Sequence, residues 1–369
     1  MKNIIKYITL YLLTTILIFG NILFSQDQKS SLRILDINVW SGLDYIGSMK
    51  MGEYETPEIR EKRYQALISQ INELNPDVVG IHEANLLPNY AKRLAKDLGC
   101  IPFYHIGVGG IHIGPIGLPS NLREGDVILV KEEFSPKWIG RKQLSGGYVG
   151  KYFTFHFEDA TQVIGVRINV NGNPVNIYAT HWHSSLLPEK EILIKSEEIF
   201  SRGKASQMEY DSLITIIDDG IKWRISESEK TIQFIHDTAE NHPVILMGDF
   251  NSTNQSEEIR LLKRNGLIDT YNYLYPDSAG FTWNPKTNIN QKIHYLNDDA
   301  SIIDNIFDEI YHYEKYLPKR IDCIFIGDQS LIFKGRVSIN NSKVVMQKII
   351  DGVQASDHYG IFSEIEIKE

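Results

Sequence analysis

Short apolar runs, each closed by a polar side chain, recur along this chain and confine it to a layered fold built on strands. Ser31–Trp40 reads as a buried strand, with Leu32, Ile34, Ile37 and Val39 apolar and Asn38 near its end. Val78–Ile81 is another and stops at His82 and Glu83. Pro174–Thr180 leads to His181, Pro243–Met247 leads to Asp249 and Asn251, and Arg320–Gly327 contains Asp322. Gly360–Ile367 follows directly on Ser356, Asp357 and His358. Further strands are expected at Asp126–Val130, Tyr152–Phe157 and Thr161–Asn169, with a hairpin of Lys334–Ile339 and Lys343–Ile350 around Asn340 and Asn341.

Helical spacing separates these runs. Thr56 and Pro57 form an N-cap and first helical position, and Tyr64, Leu67, Ile68, Ile71 and Leu74 follow at helical intervals. Asn89–Leu98, Pro188–Trp223, Ser226–Asn241 (capped by Ser226) and Ser256–Asn265 are read the same way. Gly107–Pro119 is loop by its glycine and proline content, and a long polar loop runs through Thr282–Pro285. Strands interleaved with helices, with no break in composition, predict an α/β class and one domain over 31–369.

The N-terminus carries a different signal. Lys2 and Lys6 precede an apolar stretch from Ile8 to Phe24 and a small residue, Ser25. Residues 1–25 therefore read as a signal peptide, with a secreted or periplasmic mature chain. An uncleaved anchor is the weaker reading, because Thr9, Thr14, Thr15, Gly20 and Asn21 dilute the segment. The formal net charge of −9 gives no general attraction to nucleic acid or anionic lipid, though a local basic cleft could still supply one. Two cysteines are too few for a disulfide framework, and Cys323 sits in an apolar run as a small hydrophobe.

Strand ends brought side by side aim Asn38, Glu83, His181, Asp249, Asn251, Asp322, Asp357 and His358 toward a shared cleft. Carboxylate and amide oxygens are what hard cations such as Mg²⁺ prefer, with Mn²⁺ an alternative. The imidazoles add acid–base work and anion stabilisation. A thiolate cluster and a nucleophilic serine elbow are both missing from the sequence, which leaves acyl transfer with little support. His82, Trp182 and His183 have no role derivable from sequence.

In this order the segments resemble the endonuclease/exonuclease/phosphatase superfamily. Arg33–Trp40, Asp77–Glu83, Tyr178–His181, Met247–Ser252, Arg320–Ile326 and Ser356–His358 carry the similarity, which runs from residue 32 to 367. The resemblance implies a four-layer sandwich of two packed, mostly antiparallel sheets flanked by helices. It implies Glu83 as the principal Mg²⁺ ligand, with Asn38 beside it and Asp357 near the metal. Asp249 would orient or deprotonate the attacking water, and Asn251 would hold a phosphate oxygen. His358, supported by Asp322, would stabilise the phosphorane or protonate the leaving group, and His181 matches a second histidine of the deoxyribonuclease and sphingomyelinase branches. The chain departs from the family in having His82 where Gln is common. It also lacks a clear carboxylate behind His181, Gln162 being the residue closest to that place. The stretch at about 188–223 is expected to be a helical insertion.

The resulting expectation is a secreted, metal-dependent phosphodiester hydrolase acting on a phospholipid-type or other small head group, similar to sphingomyelinases. Phe281–Asn288 resembles a Thr-Trp-Asp-Pro-x-Thr-Asn segment of that branch, and the apolar Ile106–Leu118 stretch offers peripheral membrane contact. A secreted nuclease acting on DNA or RNA is the alternative, and a non-catalytic binding protein a lesser one. The sequence points to no protein partner.

Overall fold

The computed structural model describes residues 31–367 apart from 48, 114–115, 146–160, 292–304 and 328–336, with backbone alone over 110–118. The expected signal peptide and the Tyr152–Phe157 strand lie outside the described residues, as does Lys334 of the expected hairpin.

The strands are β1 (Ser31–Asn38), β2 (Val78–Ala84), β3 (Cys100–Ile113), β4 (Ile116–Lys131), β5 (Lys137–Gln143), β6 (Gln162–Val170), β7 (Asn173–His181), β8 (Val244–Asp249), β9 (Leu267–Asp269), β10 (Asp322–Gly327), β11 (Val337–Val345) and β12 (Gly360–Ile367). They form two six-stranded sheets, ordered β11-β12-β1-β2-β4-β3 and β5-β6-β7-β8-β10-β9. Each sheet is antiparallel except at its centre, where β1 runs parallel to β2 and β7 parallel to β8. A parallel pair needs a crossover. The helices α1 (Pro57–Leu74), α2 (Asn89–Leu98), α3 (Lys190–Ser201), α4 (Gln207–Thr238), α5 (Glu257–Arg264), α6 (Thr270–Leu274) and α7 (Ile306–Lys315) include those crossovers.

Alternation within the strands builds the layers. Leu32, Ile34, Val78 and Ile128 of the first sheet meet Ile164, Val166, Ile245 and Ile324 of the second in one buried cluster. The opposite face of the first sheet (Leu35, Ile37, Val79) packs on Tyr64, Leu67 and Leu94 of α1 and α2. The outer face of the second sheet packs on Phe234, Ile235, Ile259 and Leu262 of α4 and α5. The architecture is the expected four-layer sandwich. A separate cluster of Ile192, Leu213, Ile217, Ile306 and Ile310 joins α3, α4 and α7 beside it.

Local expectations differ from the structure in places, each for a physical reason. Of the expected loop Gly107–Pro119, residues 107–113 and 116–119 lie in the long strands β3 and β4, whose register shifts near Ile106 and Gly109 mark bulges. Glycine serves close approach there, since a Cβ on Gly125 would lie 2.0 Å from the His105 carbonyl oxygen. Ser226 caps nothing. It lies inside the 32-residue α4, whose N-cap is Ser206 in a capping box with Glu209. Asn340 and Asn341 form no turn; β11 is one strand with an irregularity between Ile339 and Asn341. Thr56 caps α1 as expected, accepting from the Ile59 N–H.

Candidate active site

Both central parallel pairs present their C-terminal ends on the same side, and open α/β sheets hold their ligands at such ends. In one pair Asn38 lies opposite His82, and in the other His181 lies opposite Asp249. Glu83 follows where the β2–β4 register shifts between Ile81 and Ala84, and its φ of +53° turns its side chain out of the ladder. Asn38 joins the two sheets, its Nδ2 donating to Glu83 Oε1 at 2.9 Å and to Asp249 Oδ2 at 3.0 Å. Asp322 pairs with Asp249 in the β10–β8 ladder, and His358 Nδ1 lies 2.9 Å from Asp322 Oδ2.

The remaining expected residues close the set. Asn251 donates its N–H to Asp249 Oδ1 at 3.0 Å, while its Nδ2 donates to the Trp182 carbonyl at 2.9 Å and lies 3.1 Å from His181 Nε2. Asp357 accepts from Ser356 Oγ at 3.1 Å, and its carbonyl is gripped by Asn288 and Gln291. Glu83, His181, Asp249, Asn251, Asp357 and His358 line one cavity of about 870 Å³. Asn38 and Asp322 are fully buried behind it and orient the groups in front. Asn38 Oδ1 accepts from the Trp40 N–H, so its side chain holds Glu83 and Asp249 in place.

The electrostatics sort the roles. Burial works against a charge on His358, but Asp322 and Asp249 outweigh it and lift its pKa to about 10, so the ring is an imidazolium at neutral pH. Burial also opposes ionisation of Asp249, yet His358 and His181, with the Asn38 amide, hold its carboxyl below the usual range. His181 is raised in the same manner: burial opposes its charge, and Asp249, Glu83 and Asp126 overcome it.

Those carboxylates include groups that sequence reasoning missed. Asp126 opens the expected strand Asp126–Val130 and Glu124 stands just before it, but neither is singled out by the sequence; the β2–β4 pairing brings them beside Glu83. Glu124 takes a 2.6 Å hydrogen bond from the Tyr45 hydroxyl, and burial followed by the charge of Glu83 pushes its pKa to about 7. Gln162 does not support His181 through its amide, which donates to the His105 carbonyl. His82 is fully buried between Asp36 and Asp126, each 2.8 Å from a ring nitrogen. It is a charged strut beneath the site. Trp182 is core, packed edge-on against Phe250 with ring centres 4.8 Å apart.

Two places could hold a cation. Asp249, Asp322 and His358 offer ligand atoms within 4.8 Å of one another, but an imidazolium bound to a carboxylate donates and does not ligate. Glu83 fits better. Its oxygens take N–H groups from Asn38 and Ser41, it faces the cavity, and among the described residues neither Lys nor Arg pairs with it. A hard divalent cation there suits the Glu83 carboxylate and would offset the Glu83 charge that, after burial, raises Glu124.

Comparison with known proteins agrees with this geometry. Residues 199–358 match the Endonuclease/Exonuclease/phosphatase family. No curated protein sequence matches the chain. Among solved structures, D. rerio TDP2 complexed with single strand DNA product is 16% identical, with a TM-score of 0.54, and the match covers 92% of this chain and 100% of that one. An endonuclease/exonuclease/phosphatase from Bacteroides vulgatus is 14% identical at a TM-score of 0.53, again over 92% and 100%. The human Nocturnin catalytic domain with bound sulfate anion is 12% identical at 0.50, over 92% of this chain and 95% of that one. Identities this low speak for the fold, while the matched sequence segment contains Asp249, Asn251, Asp322, Asp357 and His358. The matched segment is thus that of the endonuclease/exonuclease/phosphatase family, and the fold is the one these solved structures share.

Proposed function

We propose that the protein is a secreted, Mg²⁺- or Mn²⁺-dependent phosphodiester hydrolase acting on a small head group, as in the sphingomyelinase branch. The observation that carries this reading is the wall of the cavity. Beyond the catalytic groups it presents Asp44, Glu124, Asp126, Asp219 and Glu314 against Lys315 and Lys319, together with several aromatic rings. A polyanionic strand needs a cationic track several phosphates long, and this wall opposes one. A single diester with a compact, neutral or cationic head group suits it. Export rests on the character of residues 1–25.

A cation on Glu83 would neutralise charge on the phosphoryl oxygens. The chain's own residues supply the rest. Asp249, ionised and held low, orients the attacking water and accepts its proton as the new P–O bond forms. His358, held protonated by Asp322, gives a proton to the leaving oxygen as the old bond breaks. His181 and Asn251, in the same sheet as Asp249, would hold the phosphoryl oxygens.

A nuclease is the second reading, favoured by the similarity in fold to TDP2 bound to single-stranded DNA. Turnover of a choline phospholipid, plasmid DNA and bis(4-nitrophenyl) phosphate, measured with Mg²⁺, with Mn²⁺ and with excess chelator, separates the two. The proposal expects metal-dependent release of the head group with a shallow salt response. DNA cleavage that collapses with salt, without head-group release, would overturn it.

A further inference from the structure

His183 and Trp223 are absorbed neither by the fold nor by the chemistry above, yet the structure builds them into one object. Their rings stack with centres 4.4 Å apart and 13° between planes, and both line the cavity. Trp223 remains 38% exposed. His183 lies two residues past His181, which limits the Cα separation from that histidine to about 7 Å. The stack therefore shares one cavity with His181, Asp249 and His358.

The stack is held from behind by a face of α4. Residues 220, 224 and 227 share that face at helical spacing. Glu227, fully buried, accepts the backbone N–H of His183 at 2.9 Å. Arg224, also fully buried, donates to Ser185 Oγ and to Glu258 Oε1, the latter at 2.9 Å, and so is paired with the Glu258 carboxylate. Gly220 lets the helix come close, since a Cβ there would lie 2.0 Å from Ser185 Oγ. Trp223 sits among these contacts, and Asp219, one turn earlier, also lines the cavity. Burial, with the charges of Arg224 and His181, lowers the His183 pKa, so the platform is two neutral rings.

We infer that the Trp223–His183 stack, with Asp219 beside it, is a head-group subsite that selects a quaternary ammonium or similar organic cation on the phosphodiester. The inference rests on the hydrolase reading above and names its substrate class. A cation over the face of an indole is attracted by the ring quadrupole, tryptophan being the strongest such partner. The Asp219 carboxylate adds a term of the same sign, weakened by its exposed pairing with Lys222. Neither term acts on a neutral group of the same shape.

That difference supplies the test. Phosphodiesters carrying choline and its uncharged isostere 3,3-dimethylbutanol are compared on the wild type, Trp223→Ala, Trp223→Phe and His183→Ala, with circular dichroism on each variant. In the wild type, kcat/KM should favour the choline ester by about tenfold, mostly through KM. Trp223→Ala should bring the ratio close to one, Trp223→Phe should restore most of it, and His183→Ala should fall between. A ratio unchanged in folded Trp223→Ala overturns the inference. So does stronger competition by nucleoside monophosphates than by phosphocholine, which would make the stack a base-stacking surface. Metal-dependent turnover of bis(4-nitrophenyl) phosphate without preference between the two esters overturns the subsite and leaves the hydrolase reading standing. Loss of all diester turnover in the wild type overturns both.

Discussion

Replacing Arg63 should damage the fold and the site together. Its guanidinium is buried and fully engaged: Nε to Glu55 Oε1 at 2.7 Å, Nη1 to the Val39 and Ala355 carbonyls at 2.9 Å each, and Nη2 to the Trp40 carbonyl at 3.2 Å. It also stacks over the Trp40 ring, 4.6 Å from its centre. Hydrogen bonds to a charged group are worth about 1.5–3 kcal/mol each, but water entering the vacated space recovers part of that sum. Arg63→Ala also strands the buried Glu55 carboxylate, and breaking such a pair from one side costs about 3–5 kcal/mol. Arg63→Lys keeps the charge but cannot span four acceptors, so about 2 kcal/mol is expected. The carbonyls it holds lie just after Asn38 and just before Ser356–His358, so kcat/KM on bis(4-nitrophenyl) phosphate should fall about tenfold or more in folded Arg63→Lys. Urea midpoints and turnover on the same samples read both effects. The double variant Glu55→Ala/Arg63→Ala should be less destabilised than the two single losses summed. A loss below about 1 kcal/mol in Arg63→Ala, or strict additivity in the double variant, would refute the buried-pair reasoning.

Other expectations follow from named contacts. His358→Ala should lower kcat by about 10²–10⁴-fold in protein shown to be folded by circular dichroism, and should also cost stability, because Asp322 is left buried without its imidazolium. His82→Ala should instead lose about 3–5 kcal/mol in urea unfolding, because Asp36 and Asp126 would be left buried without their partner. Stability should depend on the charge of His358. Its folded pKa is raised to about 10, so its contribution is fully present below the unfolded value near 6.5 and is lost as pH rises toward 10. The wild type should lose about 3–5 kcal/mol more than His358→Asn between pH 6 and pH 10. Gly248→Ala would set a Cβ 2.2 Å from the Thr180 carbonyl oxygen and force β7 from β8, which should lower both the melting temperature and turnover.

Much of the site could be read from the chain because its groups stand at the tips of short apolar runs, where the pattern itself marks a strand end. Asn38, Glu83, His181, Asp249 and His358 were legible for that reason. Glu124 and Asp126 were not, since they stand at the start of the Asp126–Val130 run and not at its tip, and only the pairing of β4 with β2 shows what they face. The β3–β4 hairpin was hidden because glycine marks close backbone approach as readily as it marks a turn. Ser226 misled because a cap signal depends on the turn before it, and here no breaker separates it from Trp223. The Trp223 platform was invisible because its spacing matches any half-buried helix. Only Glu227 and Arg224, reaching back to His183 and Ser185, give it direction.

The order β11-β12-β1 has a consequence for synthesis. Ser31 pairs with Glu366 and Asp36 with Ile361, so the first and last described strands are neighbours in the sheet interior. His358 and Asp357 are delivered to the cavity only when β12 enters between β1 and β11. The fold thus has a high contact order, and it closes its longest loop before its chemistry exists. Until then Asn38, Glu83 and Asp249 stand without His358, the group proposed to protonate the leaving oxygen. On the proposed mechanism, hydrolysis waits until β12 has been made and has zipped into place.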